Sequence, residues 1–140
     1  MNAYDKAISL LSIREHTGRE LERKLLDKGF SKDEVQDAIA RVVEQGFLSE
    51  MRFAESYIRS RLRKNPEGKA LLRLRLMDKG SPRDIAESAI LSFWEEGLYL
   101  KPLKELYEKL LVKHGHEKAV NRLLQKGFSH SEIDDAINSF

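Results

Sequence analysis

The chain contains no cysteine. That absence excludes a disulfide framework, a thiolate nucleophile and Cys-ligated zinc, and it fits a reducing cytoplasm. No large excess of one charge is present either. Against 25 Lys and Arg stand 23 Asp and Glu, so total charge selects no partner and only its distribution is informative. Long apolar runs are missing as well. The stretch MNAYDKAISLLSIRE carries Asp5 and Lys6 among short apolar runs, which argues against a signal peptide or a membrane span. A soluble, cytoplasmic protein is the expectation. Prolines number three and glycines eight, all at proposed element boundaries, and no segment alternates with the period of a strand. GxSxG, P-loop and GxGxxG motifs are all lacking, and the serines and threonines are accounted for as helix caps.

What is present is a repeat. LLDKGFSKDEVQDAI at Leu25 to Ile39 returns as LMDKGSPRDIAESAI at Leu76 to Ile90 and as LLQKGFSHSEIDDAI at Leu123 to Ile137. Gly29, Gly80 and Gly127 sit four residues after the opening leucines, 51 and then 47 residues apart. Each copy joins two apolar helical patterns across a Lys-Gly break, so the unit is a helix, a tight turn and a helix. A period near 50 predicts an all-α fold: an elongated, curved tandem array of three three-helix modules, at 1–48, 49–99 and 100–140. Modules this small should lean on their neighbours.

Cap signals place the helices. Thr17 with Glu20, Ser31 with Glu34 and Ser129 with Glu132 spell capping boxes, and Ser49 reads as the cap of the fourth helix. In the second repeat Ser81 is expected to cap, with Pro82 in the first turn and the cap shifted one place from the other copies. Module three is expected to run from Pro102 to His114, from about Glu117 to Lys126, and from Ser131 to the end. Phe53, Tyr57, Ile90, Phe93 and Trp94 fall on apolar stripes and read as core. His16 and His130 lie beside helix starts and read as surface residues. His114 and His116 flank a glycine in a turn without a carboxylate pair, which suits a solvated loop better than a metal site. No metal, cofactor or active site is expected.

Charge divides unevenly. The modules hold 8 basic and 9 acidic, 10 and 8, and 7 and 6 residues in order. Between residues 59 and 75, however, Arg59, Arg61, Arg63, Lys64, Lys69, Arg73 and Arg75 face Glu67 alone, plus six over 17 residues. The turn at Pro66 is expected to bring the two groups into one positive patch for phosphate or carboxylate. The plainer reading is a solvated face with local ion pairs.

GFLSEMRFAESYIRSRL at Gly46 to Leu62, with REHTGRELERKLLDKGF at Arg14 to Phe30 and the later LMDKG and LLQKGFS, resembles the RecX family of bacterial regulatory proteins over nearly the whole chain. The most specific pieces are Gly46, Phe47, Leu48, Arg52, Phe53 and Ala54, then Tyr57 and Arg61, and the Lys-Gly turns. Ser49 and Glu50 depart from the family's usual Asn or Asp followed by Asp, while keeping a cap and an acidic helix start. This resemblance implies tandem three-helix modules that lie in the groove of a RecA filament on single-stranded DNA and restrain its ATP hydrolysis and strand exchange. On that reading the protein is a monomeric regulator and no enzyme; charge clustering, more than the resemblance, nominates the seven cations as what anchors the middle module. Two alternatives stand beside it: a sequence-nonspecific protein binding single- or double-stranded DNA without RecA, and a structural adaptor for another partner.

Overall fold

The computed structural model describes residues 1–139. Among these residues are nine α-helices and no strand: α1 Ala3–Ile13, α2 Gly18–Asp27, α3 Lys32–Glu44, α4 Glu50–Lys64, α5 Lys69–Asp78, α6 Arg83–Glu95, α7 Leu100–His114, α8 His116–Gln125 and α9 His130–Asn138. The last helix was expected to reach Phe140, which lies outside the described residues. None of these helices is long and apolar enough to cross a membrane.

The repeat is a helix-ending device. In each copy the glycine sits at positive φ, +96° at Gly29, +108° at Gly80 and +94° at Gly127, where a side chain would be strained. The next amide then reaches back to the opening leucine: Phe30 to Leu25 at 3.4 Å, Ser81 to Leu76 at 3.0 Å and Phe128 to Leu123 at 3.2 Å. The glycine amide bonds one residue later, which completes a Schellman motif and satisfies the end carbonyls. After the turn, Ser31 and Ser129 close the expected capping boxes, as Thr17 does for α2. Ser49 accepts the Arg52 amide at 3.1 Å.

The second repeat corrects one expectation. Pro82, and not Ser81, holds the cap position, so the helix start keeps the register of the other copies. Ser81 takes the place of Phe30 and Phe128; it is buried and its hydroxyl has no partner among the described residues. Helix α7 begins at Leu100, two residues before Pro102, which still falls among the first amides that have no intrahelical acceptor. Helices α8 and α9 begin at His116 and His130, each one residue earlier than expected.

Packing within each triplet follows the apolar stripes. Around Ala3, Ala7, Leu21, Leu25, Val35, Ala38, Val42 and Leu48, α1 to α3 enclose one core. The remaining six helices share a second core that includes Phe53, Ile58, Leu72, Phe93, Leu103, Leu123 and Ile133. Helix α4 meets both α6 and α7, and through it the second module passes into the third. Accessible surface totals 8417 Å², against about 7,500 Å² for a compact monomer of this mass, as expected for modules stacked in line.

One contact recurs between neighbours. The start of the middle helix of one module rests on the Lys-Gly turn of the next. At the first junction Thr17 donates its hydroxyl to the Lys79 carbonyl at 2.7 Å; at the second, Gly68 donates its amide to the Lys126 carbonyl at 2.9 Å. Thr17 and Gly68 both cap a middle helix and lie 51 residues apart, the spacing of the repeat. Each ends a four-residue connection, 14–17 or 65–68, with a buried polar residue just before it, His16 or Glu67. In the third module Gly115 alone joins α7 to α8.

Candidate partner-binding site

The second half of α4 and the whole of α5 carry the seven expected cations, and the 65–68 connection turns the chain between them. Pro66, Glu67 and Gly68 are all buried there. Glu67 is 3% exposed and is the centre of the arrangement. Its Oε1 accepts from Arg61 Nε at 3.1 Å and Nη2 at 2.6 Å, and from Arg75 Nε at 2.6 Å. Its Oε2 accepts from Arg75 Nη2 at 2.6 Å. Burial alone would favour the protonated acid, but the hydrogen bonds from Arg75 and Arg61, with their positive charge, outweigh it and hold the carboxyl below its ordinary value.

This geometry corrects the expectation of a single uncompensated patch. Arg61 and Arg75 converge as expected, but on a carboxylate inside the protein. Arg73 stands 3.5 Å from Glu87, which also accepts from Arg83 at 3.0 Å. The other cations divide between two clefts. Arg59, Arg63 and Lys64 border one between α4 and α7; Lys69 and Arg73 border another beside Gly127 and Glu132. The first cleft has a volume of about 520 Å³ and gains two cations from α7, Lys101 and Lys109. Sequence reasoning missed both because they lie outside the dense run. Their signal was a spacing of eight with Glu105 between them, which puts all three on one helix face.

Sequence reasoning also misplaced His16. It is buried, with Nδ1 3.0 Å from the Arg14 carbonyl and Nε2 2.8 Å from Lys24 Nζ. Burial holds its pKa below the ordinary imidazole value, helped by the charges of Arg14 and Lys24 and opposed by the Arg14 carbonyl and Glu20. Neutral His16 therefore donates from Nδ1 and accepts from Lys24. Around it the first junction is polar: Arg19 reaches the Asp78 carbonyl, Gly18 donates to Glu50 at 2.6 Å and Arg52 pairs with Glu15 at 3.2 Å. Burial raises the pKa of Glu50, only partly offset by that amide.

The aromatic readings hold in the main. Phe53 is buried and stacks with Tyr57, ring centres 6.1 Å apart. Trp94 is only half-buried; it stacks on Tyr99 at 4.7 Å and its indole N–H donates to Glu132. His116 meets the Tyr107 hydroxyl at 2.8 Å. Among the described residues no group of three or more His, Asp or Glu is placed to hold a metal.

Helix triplets joined turn to turn, with cations gathered along clefts between them, define an all-helical tandem-repeat protein. Family models described as the first and second three-helix domains of RecX match residues 3–41 and 49–90, and the chain belongs to the RecX family of regulatory proteins. A regulatory protein RecX from Prosthecochloris aestuarii is 33% identical over 97% of this chain and 91% of its own. Another, from Haemophilus influenzae, is 31% identical over 96% and 92%. The crystal structure of RecX from Lactobacillus salivarius superimposes with a TM-score of 0.81 at 29% identity, covering 96% of this chain and 92% of that one. A second crystal structure, of a regulatory protein RecX 22% identical to this chain, shares the fold with a TM-score of 0.79.

Proposed function

We propose that this protein binds the RecA recombinase filament on single-stranded DNA and restrains its ATP hydrolysis and strand exchange in the cytoplasm, as a monomer and without catalysing a reaction itself. The observation that carries the reading is family membership over nearly the whole chain. The architecture suits it. A row of modules offers a long surface that can span neighbouring protomers, and several weak contacts on one chain act together. Exposed Arg59, Arg63, Lys64 and Lys69 are the contacts to acidic protein surface or to phosphate, with Arg73 shared with Glu87. Arg61 and Arg75 act indirectly, by holding the 65–68 connection through Glu67.

The test is RecA's DNA-dependent ATP hydrolysis with and without the protein, beside its binding to bare DNA. Inhibition of hydrolysis with weak bare-DNA binding is expected. Reversing Arg59 and Arg63 to Glu should weaken inhibition at least tenfold, a change of about 1.4 kcal/mol, with helical content unchanged. Undiminished inhibition removes these residues from the account. Tight bare-DNA binding that falls steeply with salt, with no effect on RecA, would establish a DNA-binding protein instead.

A further inference from the structure

We propose that the cleft between α4 and α7 is a docking groove for an acidic amphipathic segment of a protein partner. The inference rests on the reading that this face meets a partner, and it assigns the chemistry of what is held. The floor is apolar: exposed Leu98 with half-buried Pro102 and Leu106, over the buried Leu62, Pro66 and Phe93. Leu98 is 48% exposed, large apolar surface left open to water. Along the rim stand Arg59, Arg63 and Lys64 from α4 and Lys101 and Lys109 from α7, with Glu105 the one acid among the described residues that line it. Arg63, Lys64, Lys101 and Lys109 form no ion pair with a described residue, and Arg59 leans toward Phe93, 5.9 Å from the ring centre.

The fold does not require this charge. At positions 51 residues before Arg59, Arg63 and Lys64, the first module has Ile8, Ser12 and Ile13. Cations that serve the architecture have partners within the chain: Arg61 and Arg75 pair with Glu67, Arg19 reaches the carbonyls of Met77 and Asp78, and Arg52 pairs with Glu15. Unspent positive charge around an open aliphatic floor matches a helix or extended strip with leucine-like residues on one side and carboxylates beside them. Single-stranded nucleic acid fits less well. Bases stack on exposed aromatic faces, and Phe93, the one aromatic among the described residues lining the cleft, is 6% exposed.

The probe is a short fluorescein-labelled peptide with Leu and Glu at helical spacing, titrated into the 140-residue chain and read by anisotropy. A matched peptide with Ser for Leu, and an oligothymidylate, serve as competitors. The Leu peptide should bind, while the Ser peptide and the oligothymidylate should compete at least tenfold more weakly. Arg63→Glu with Lys101→Glu should lower affinity for the Leu peptide at least tenfold, and Leu98→Asp should do the same; both changes are at exposed positions. Lys32→Glu with Lys118→Glu, on other faces, should leave it unchanged. No binding, equal competition by the Ser peptide, preference for the oligothymidylate, or indifference to Arg63→Glu with Lys101→Glu overturns the groove. A protein that inhibits RecA yet ignores the Leu peptide loses this inference and keeps the function proposed above. One that binds the peptide and leaves RecA untouched keeps the groove and loses that function.

Discussion

At the first junction, Thr17, Gly18 and Arg19 of one module meet the carbonyls and a carboxylate of the next, and the apolar cores on either side stay separate. At the second, Gly68 makes the equivalent backbone contact, Lys126 donates to Asn65, and one core runs unbroken from α4 to α9. Hydrogen bonds across an interface contribute roughly 1 kcal/mol each, whereas a continuous core contributes with every buried side chain. The same contact thus lies in a polar joint between two cores in one place and beside a single fused core in the other. The first module should open on its own, and the other two should open together.

The strongest test of that contrast is to hollow each core in turn. Leu72→Ala and Leu21→Ala remove fully buried side chains, and each should cost about 3 kcal/mol. Hydrogen exchange should then accelerate throughout α4 to α9 for Leu72→Ala, and in α1 to α3 alone for Leu21→Ala. Matched acceleration of the whole chain in both would show a single cooperative unit and break the comparison.

A smaller effect separates the junctions themselves. A Cβ at Gly68 would lie 1.9 Å from the Gly127 carbonyl oxygen, a backbone atom with nowhere to go. Gly68→Ala should therefore cost about 2 kcal/mol and loosen amides 126–128. At Gly18 the added methyl would stand 3.0 Å from the end of the Glu50 side chain, which can move. Gly18→Ala should cost less than about 1 kcal/mol, because alanine also favours the helix. Equal losses in thermal or denaturant unfolding would show that the two contacts are equally rigid.

The smallest expected effect is the part of the pH dependence that comes from His16 at the first junction. His16 has a folded pKa below its unfolded value near 6.5, so folding favours the neutral ring. Its stabilisation is complete above that unfolded value and is lost as pH falls through the lower folded one. Glu50, raised by burial, has the opposite sign and loses stability as pH rises through its folded value. That contribution is common to both proteins when wild type is compared with His16→Gln. Between about pH 7.5 and about pH 5.5, wild type should lose more stability than the variant. Parallel curves would mean that His16 titrates alike in the folded and unfolded chains.

The two kinds of joint also explain what sequence reading could reach. Leu25, Gly29, Ser31 and Glu34, with their later counterparts, act within one turn and its flanks, so helix ends and the three-module plan were legible from spacing. The Pro82 cap was misassigned because Ser81 has the chemistry of a cap while sitting at the position that elsewhere holds phenylalanine. Glu67 was visible as the lone acid in a basic run, but its burial depends on α5 folding back against α4. Lys101 and Lys109 were invisible as partners of Arg63 because that proximity exists only after α7 packs on α4. His16 looked like an ordinary residue before a helix start; its burial follows from the way the 14–17 connection folds back, setting the ring between the Arg14 carbonyl and Lys24 of α2.

The one-residue connection at Gly115 gives the array a direction. Modules one and two each extend a four-residue finger that the following module grasps by its turn carbonyl, while module three has the turn to be grasped by and has lost the finger. Growth by adding another like unit behind it would find no handle. Among the described residues the grip is made twice, once at each junction, and always in the same sense along the chain.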